Sequence, residues 1–220
     1  MPDRNMILPC QAHIVPTGDS DPLPYYYKPI VGWFYRRRLE IGLGMLDREI
    51  YPRILEVGYG SGVLLKTLAR LSKELYAVDF HPNTSAVENM MEREGFRAHL
   101  SQGDILKLEF ADNSFDAVLC YSTLEHIPDT DTAVSELARV LKPDGTAIVG
   151  FPIVSRLMEV LFHLIGFHEV QEHHVADHNK IFASCQKIMQ VEQVRRFPPG
   201  LPLFATLYLV CACKKRVSKS

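Results

Sequence analysis

Short apolar runs alternate with helical patterns along most of this sequence. The apolar run 54–57 precedes residues 63–72, in which Leu64, Leu68 and Leu71 recur at the spacing of one helix face. Strands that alternate with helices favour an α/β fold with a mostly parallel sheet. Further strands are predicted at 75–78, at 115–120, up to Phe151, at 191–197 and at 205–213, with further helices around Val134 and Leu137 and around Ile181 and Cys185.

The first predicted strand runs into a turn with three glycines at alternate positions, Gly58, Gly60 and Gly62, and Glu56 precedes them. Glycine lets a turn adopt positive φ and lets the backbone approach a ligand at distances that a Cβ would forbid. Open α/β sheets bind nucleotides at this position, beyond the carboxyl end of a strand. The spacing differs from the G-x-G-x-x-G fingerprint of dinucleotide-binding proteins, because the third glycine comes one residue early and Val63 holds its usual place.

The second predicted strand ends at an acidic residue, Asp79. A carboxylate about twenty residues beyond such a glycine turn can accept hydrogen bonds from a ribose diol. This feature suits both NAD and S-adenosylmethionine. We therefore expect Asp79 to bind the ribose of a nucleoside cofactor.

Residues 56–62 resemble motif I of the class I S-adenosylmethionine-dependent methyltransferases, which usually reads E/D-x-G-x-G-x-G. Residues 102–105 (QGDI) and 113–120 (NSFDAVLC) resemble the adenine-binding loop and fourth strand of that family. The stretches LEHIPD and ELARVLKPDGTAIV resemble its small-molecule branch, which includes the ubiquinone and menaquinone biosynthesis methyltransferases. The resemblance spans residues 54–151.

This resemblance implies a fold and an activity. The expected fold is a single-domain, doubly wound, seven-stranded Rossmann-like sheet with strand order 3-2-1-4-5-7-6 and strand seven antiparallel. The expected activity is transfer of a methyl group from S-adenosylmethionine to a small-molecule or lipid-like acceptor. Two alternatives stay open. An NAD-dependent oxidoreductase is disfavoured by the glycine spacing and by the lack of a Tyr-x-x-x-Lys pair, whereas a non-catalytic S-adenosylmethionine-binding protein would keep the glycine turn without an acceptor pocket.

The resemblance also implies roles for individual residues. Asp104 is expected to accept from the adenine amino group, while the backbone at Ile105 addresses the ring edge and Phe80 stacks on it. Glu56 is expected to neutralise the ammonium end of the cofactor. Tyr59 stands where relatives often have a small residue or cysteine, and its side chain is expected to narrow the methionine pocket. The remaining cofactor-binding residues are predicted to be Gly58, Gly60, Gly62, Asp79, Tyr121 and Tyr27.

His126 follows the fourth predicted strand, at the edge of the methyl-donor site. A hydroxyl acceptor needs a base to remove its proton, and histidine has a suitable pKa. His126 is therefore the predicted catalytic base. Packing or a hydrogen bond at a helix start is the alternative interpretation, and Glu125 beside it is expected to be structural.

Composition narrows the possible partners. The 220 residues are 47% hydrophobic, which is enough for a substantial core in one domain. The formal net charge is -2 and the pI is about 6.5, unlike the basic footprint of a nucleic-acid-binding protein. Residues 120–123 read CYST, where relatives that methylate the amines of DNA bases carry [DN]-P-P-[YF]. No nucleic-acid partner is expected.

The cysteines and the apolar runs bear on location. The five cysteines are scattered and odd in number, which predicts free thiols in a reducing cytoplasm. Cys211 and Cys213 lie on one face of an apolar strand and are expected to pack in the core rather than bind a metal. No secretory signal is visible and no apolar run reaches transmembrane length, so a cytoplasmic protein without a transmembrane segment is expected.

The N-terminal third is rich in proline and polar residues before an aromatic cluster. Residues 1–31 are predicted to form an arm, and residues 32–220 the methyltransferase domain, with a lid-like insertion at about 153–180. In many relatives an aromatic residue ahead of motif I closes over the methionine end of the cofactor, and Tyr26 or Tyr27 is expected to do so here. The alternative is that these tyrosines only pack the arm onto the sheet.

Three features outside the motifs leave alternatives open. The run Arg36, Arg37 and Arg38 forms either a solvated helix face or a site for an anionic substrate or weak membrane-surface contact. The apolar stripe 154–167 is either a buried helix or part of a lid over a lipid-like acceptor. The histidine-rich segment that follows is interpreted as a polar lid loop, although His174 and His178 are four residues apart and could share a metal on a helix. Its histidines are His163, His168, His173, His174 and His178.

Overall fold

The computed structural model describes residues 4–18, 21–153, 175–200 and 206–216. Helices and strands alternate over these ranges, as the apolar pattern predicts. The helices are α1 (Leu23–Tyr26), α2 (Pro29–Leu43), α3 (Leu65–Ala69), α4 (Thr84–Glu94), α5 (Thr130–Val140) and α6 (His178–Ile188), with a 3₁₀ turn at Leu124–His126. The strands are β1 (Tyr51–Val57), β2 (Ser72–Asp79), β3 (His99–Gln102), β4 (Phe115–Tyr121), β5 (Leu141–Pro152), β6 (Met189–Phe197) and β7 (Tyr208–Lys215).

The strands form one seven-stranded sheet in the order β3-β2-β1-β4-β5-β7-β6. The first five strands are parallel to one another, and β7 pairs antiparallel with both β5 and β6. The expected fold class and strand order are therefore confirmed. Reversal of strand order between β1 and β4 creates a topological switch point, where open α/β sheets bind ligands.

Both faces of the sheet are covered, because successive side chains of a strand point to opposite faces. Ile54 of β1 and Leu119 of β4 belong to a core cluster that includes residues of α2, α3 and α4. Leu55 and Val118, their sequence neighbours, belong to a second cluster with residues of α5 and α6. This double burial explains why the parallel strands read as continuous apolar runs rather than as an alternating pattern.

The helix after the glycine turn is shorter than the sequence pattern predicts. Only Leu65–Ala69 is helical, whereas the spacing of leucines suggests 63–72. Ser72 already pairs with Tyr51 at the start of the sheet, and the Tyr51 N–H donates to Leu71 O at 2.7 Å. Pairing of β2 with β1 therefore ends the helix early.

Residues 4–18 lie against the helices of the domain. The Ile7 N–H donates to Thr67 Oγ1 at 2.9 Å, and the Cys10 N–H donates to Glu94 Oε1 at 2.8 Å. Met6 and Ile14 contribute buried side chains to the core. Helix α2 begins at Pro29, so the predicted boundary between residues 31 and 32 falls inside that helix.

Some predictions fall outside the described residues, namely those on the stripe 154–167 and on His163, His168, His173 and His174. Of the predicted insertion, residues 153 and 175–180 are described, and the N–H groups of Val175 and Ala176 donate to Glu125 O at 2.8 and 3.0 Å. Within the described ranges, no helix is long and apolar enough to cross a membrane. Over the same part of the chain, no cluster of three metal-ligating side chains occurs.

Candidate functional site

The glycine turn follows β1 at the carboxyl edge of the sheet. Gly58, Gly60 and Gly62 all have positive φ, at 79°, 52° and 82°. The Gly58 N–H donates to Val78 O at 2.8 Å, which holds the turn against β2. A Cβ at Gly58 would lie 2.0 Å from Thr123 Oγ1, in the loop that follows β4. The turn therefore requires glycine both for its conformation and for its contact with the β4 loop.

Asp79 joins the end of β2 to this turn. Its Oδ2 accepts from the Gly60 N–H at 2.7 Å, and its Oδ1 accepts from the His81 N–H at 3.1 Å. His81 Nε2 in turn lies 2.9 Å from Gly60 O. Each carboxylate oxygen has a second lone pair, so Asp79 can accept from a ribose diol while it holds the turn.

Glu56 and Tyr59 lie buried beside the turn. Glu56 Oε2 and the Tyr59 hydroxyl have no hydrogen-bond partner in the part of the chain that the structure describes. Burial, together with the charge of Asp79, raises the pKa of Glu56 well above its ordinary value. A carboxyl group without a donor in such surroundings favours a cationic or N–H ligand, because unpaired buried polar groups are costly.

The predicted adenine-binding residues lie at the ends of β2 and β3. The Phe80 side chain is 76% exposed, which leaves its ring face available for stacking. The Gly103 N–H donates to Asp79 O at 2.8 Å and so places Asp104 next to this edge. The Asp104 side chain is exposed and its Oδ1 accepts from the Leu106 N–H, while Ile105 is buried.

The predicted tyrosines use their hydroxyl groups inside the protein. The Tyr27 hydroxyl donates to Pro9 O at 2.9 Å, and burial raises the pKa of Tyr27 to about 12. The Tyr121 hydroxyl donates to Leu39 O of α2 at 3.2 Å. Tyr27 therefore ties residues 4–18 to the domain, and Tyr121 ties β4 to α2.

Arg38 is a candidate that the sequence pattern did not single out from its neighbours. Its Nη1 donates to Ser122 Oγ at 3.3 Å and its Nη2 donates to the Tyr26 hydroxyl at 3.1 Å. The guanidinium carbon lies 4.5 Å from the ring centroid of Tyr35 and 5.1 Å from that of Tyr208.

Arg38 lacks a counter-ion among the described residues. Its Nε is closed off from solvent and has no hydrogen-bond acceptor there, and no described carboxylate lies within ion-pair distance. Ser122 and Thr123 are adjacent, and Thr123 packs on Gly58. A partly buried cation without a counter-ion among the described residues thus lies beside the loop that contacts the glycine turn, where it is available to the carboxylate of a ligand.

The turn after β4 places its two polar side chains differently. Glu125 is buried and its Oε2 has no donor among the described residues, whereas His126 is exposed. Burial raises the pKa of Glu125 from its ordinary value of 4.5 to about 7, although the charge of Arg38 acts in the opposite direction. The sequence pattern did not distinguish the two environments.

We expect Glu125 to make the protein less stable as the pH rises from about 4.5 to 7. In this window the native state keeps a proton on Glu125 that the unfolded chain releases, so the free energy of unfolding falls. Replacing Glu125 by glutamine removes this titration. The loss of unfolding free energy between pH 5 and pH 8 should therefore be smaller in Glu125→Gln, by up to about 3 kcal/mol.

Urea denaturation of both proteins at pH 5 and pH 8 measures this difference. Glu109→Gln, at an exposed position, controls for the loss of one carboxylate. The same pH dependence in wild type and Glu125→Gln would contradict the assigned environment of Glu125.

Comparisons with known proteins bear on the family and the fold of this chain. A family model described as a methyltransferase domain matches residues 55–149. The ubiquinone biosynthesis O-methyltransferase of Azorhizobium caulinodans is 30% identical over 139 residues, which cover 61% of this chain and 54% of that protein. The chain spans about half the length of the curated relatives that it matches.

Solved structures share the fold over most of the chain. PH0226 protein from Pyrococcus horikoshii OT3 matches with a TM-score of 0.70 at 18% identity, covering 90% of this chain and 97% of that chain. N-methyltransferase NodS from Bradyrhizobium japonicum WM9, in complex with S-adenosyl-L-homocysteine, matches with a TM-score of 0.64 at 19% identity, covering 91% and 95%. At these identities the structural likeness shows the fold alone.

Proposed function

Since residues 55–149 belong to the class I S-adenosylmethionine-dependent methyltransferase family, we propose that the chain transfers a methyl group from S-adenosylmethionine to a small-molecule or lipid-like acceptor. The observation that carries this proposal is the set of polar groups with spare hydrogen-bonding capacity around the glycine turn. Glu56 offers a carboxyl oxygen without a donor among the described residues, Arg38 offers a cation, and Asp79 offers hydrogen-bond acceptors.

These groups fit the two ends of S-adenosylmethionine. Glu56 would bind the ammonium group, Arg38 the carboxylate and Asp79 the ribose diol. Asp104, the backbone of Ile105 and the ring of Phe80 would bind the adenine. When bound, S-adenosylmethionine supplies an activated methyl group on a sulfonium, so the protein has mainly to orient the acceptor and exclude water.

An NAD-dependent oxidoreductase has less support. NAD has no amino-acid end, so it offers no ammonium for Glu56 and no carboxylate for Arg38. The glycine spacing also lacks the third glycine of the dinucleotide fingerprint. A non-catalytic S-adenosylmethionine-binding protein would use the same cofactor residues, and only an assay of methyl transfer distinguishes it.

The curated relative named above is an O-methyltransferase, which supports a hydroxyl group as the methyl acceptor. We propose His126 as the base that removes its proton, because His126 directly follows the β4 loop and is exposed. Exposure would allow the proton to pass on to solvent. If His126 has this role, His126→Ala should lower kcat by about 10²- to 10⁴-fold with the KM for S-adenosylmethionine unchanged.

The proposed setting is the cytoplasm, with no nucleic-acid partner. The described cysteines are all free thiols, and Cys120, Cys185, Cys211 and Cys213 are buried. Free thiols suit a reducing compartment. The net charge of -2 offers no general attraction to nucleic acid.

Calorimetry with S-adenosylhomocysteine and, separately, with NADH tests the cofactor. We expect S-adenosylhomocysteine to bind and NADH to give no heat. Asp79→Ala should weaken binding about 10- to 100-fold, because hydrogen bonds to a charged acceptor are lost. Asp79→Asn keeps one acceptor oxygen and should lose less. Binding of NADH alone would refute the proposal.

The reaction is tested with methyl-labelled S-adenosylmethionine and a panel of hydroxylated, amine and quinol acceptors. Label transfer to any of them supports the enzyme and identifies the acceptor atom. Tight cofactor binding without transfer across the panel would favour the non-catalytic alternative. Less than a threefold effect of His126→Ala on kcat would remove His126 from the mechanism.

A further inference from the structure

The outer face of α2 exposes two large apolar side chains near its N-terminal end. Ile30 is 84% exposed and Trp33 is 56% exposed. Because residues three and four apart on a helix are neighbours, Ile30, Trp33 and Arg37 share one side of α2, which we call the Trp33 face. Single exposed apolar residues are common, but adjacent ones on one helix face indicate an interaction surface.

The Trp33 face continues onto the edge strand β6. The Trp33 ring lies 5.7 Å from that of Phe197, and the Phe34 ring lies 4.9 Å from Phe197. Arg195 is two residues before Phe197 and pairs with Val210, so its side chain shares the sheet face that α2 covers.

Positive charge surrounds these apolar side chains. Helix α2 contains three arginines and a single acidic residue, Glu40, whose carboxylate binds Arg37 and the Met6 N–H. Lys28 is exposed at the start of α2, and no carboxylate among the described residues forms an ion pair with the exposed Arg195 side chain. The apolar side chains thus lie within a basic rim.

The basic run 36–38 does not itself form this surface. Arg36 donates to Tyr26 O at 2.6 Å, and Arg38 is enclosed by tyrosine rings. Of the three arginines, Arg37 alone lies on the Trp33 face. The basic rim therefore comes from residues that are separate in the sequence.

The Trp33 face lies at the same edge of the sheet as the candidate site. Phe197 pairs with Tyr208, and Tyr208 pairs with Pro152 at the carboxyl end of β5. The Tyr208 hydroxyl lies 2.9 Å from Ser122 Oγ in the β4 loop. A surface that binds the Trp33 face would thus meet the edge of the sheet that carries the candidate site.

We propose that the Trp33 face docks the protein on an anionic lipid surface, with Trp33 and Ile30 entering the headgroup region and Lys28, Arg37 and Arg195 contacting lipid phosphates. The proposal rests on the proposed function, since it places a lipid-like acceptor beside the site. Tryptophan favours the membrane interface, and nearby cations add attraction to anionic lipids.

Charge decides against a second copy of the chain as the occupant. In a two-fold dimer each patch meets its own copy, so Lys28, Arg37 and Arg195 would be brought close to the same cations of the other protomer. An anionic surface has the complementary charge.

The chain contains one tryptophan, so its fluorescence reports on this face without labelling. We expect the emission of Trp33 to move to shorter wavelength with phosphatidylglycerol–phosphatidylcholine vesicles, but not with phosphatidylcholine alone, and the shift to fade at high salt. In co-sedimentation with the anionic vesicles, Ile30→Glu should reduce the bound fraction at least about tenfold.

Ile50→Glu is the matched control, because Ile50 is 48% exposed but precedes β1 at the opposite edge of the sheet. It should bind vesicles like the wild type. Calorimetry with S-adenosylhomocysteine on Ile30→Glu keeps the two proposals separate. If this variant binds the cofactor normally but no longer binds vesicles, the substitution has impaired the Trp33 face alone.

Three results would overturn the docking proposal. The first is an unchanged Trp33 emission with anionic vesicles, and the second is an equal loss of vesicle binding in Ile30→Glu and Ile50→Glu. The third is an emission shift that depends on protein concentration in the absence of lipid, accompanied by a doubled molecular mass. The last would assign the face to a dimer. If the wild-type protein does not bind S-adenosylhomocysteine, the proposed function is refuted, whereas the measured vesicle binding is unaffected.

Discussion

A Gly58→Ala variant is expected to lose S-adenosylhomocysteine binding. The new Cβ would lie 2.0 Å from Thr123 Oγ1, and the residue would hold a φ of 79°. Strained backbone of this kind costs about 1–3 kcal/mol, and the contact adds to it because Thr123 must move. Thr123 Oγ1 donates to Tyr121 O at 3.1 Å, so its movement disturbs the whole β4 loop beside the turn.

Gly95→Ala separates the conformational effect from the contact. Gly95 has a similar φ of 70° at the end of α4, and a Cβ there meets nothing within 4 Å. This control should lose only about 1 kcal/mol of unfolding free energy and bind S-adenosylhomocysteine normally. The double variant Gly58→Ala/Thr123→Ala should regain part of the binding, because the closest contact is removed.

Thermal melting and calorimetry on the four proteins measure both effects. Normal cofactor binding by Gly58→Ala would contradict the description of the turn. An equal loss of S-adenosylhomocysteine binding in Gly95→Ala would also contradict it, because the effect would then come from general instability.

An Arg38→Gln variant is expected to discriminate between two ligands that differ in their amino-acid end. S-adenosylhomocysteine carries a carboxylate, whereas 5′-methylthioadenosine has the same adenosine but no carboxylate. Removal of one partner of a buried charge pair costs about 2–5 kcal/mol, which corresponds to about 30- to 5,000-fold in affinity. We expect a loss in this range for S-adenosylhomocysteine, and a change of less than about threefold for 5′-methylthioadenosine.

The second ligand also shows that the variant is folded. Removal of a partly buried cation that has no counter-ion among the described residues need not destabilise the protein, because the charge itself is costly to bury. Arg37→Gln is the matched control, since Arg37 pairs with Glu40 on the outer side of the same helix. Equal losses of both ligands in Arg38→Gln would mean that Arg38 supports the fold and does not bind the carboxylate.

The hydrogen-bond partners of two tyrosines and the burial of two residues in the β4 turn could not be predicted from the sequence. The sequence predicts that Tyr27 and Tyr121 bind the cofactor, and the structure shows that their hydroxyl groups donate to Pro9 O and Leu39 O, which lie 18 and 82 residues away in the chain. Glu125 and His126 are adjacent, yet one is buried and the other exposed. The cofactor and catalytic roles of these residues stay predictions.

The sequence by itself determined the α/β fold class and the place of the glycine turn. The place of the turn follows from features of short range, since Gly58, Gly60 and Gly62 lie next to the strand that they follow. The alternation of strands and helices indicates an α/β fold, and the strand order is what the resemblance of residues 54–151 to the methyltransferase family implies.

Only the tertiary structure decided which polar groups meet at the site. Arg38 reaches the β4 loop across 84 residues, and Trp33 meets Phe197 across the sheet edge, while Arg36 and Arg38 turn inward. These contacts depend on how α2 packs against β4, β6 and β7, which no local pattern encodes, because burial and charge pairing are set by residues distant in the chain.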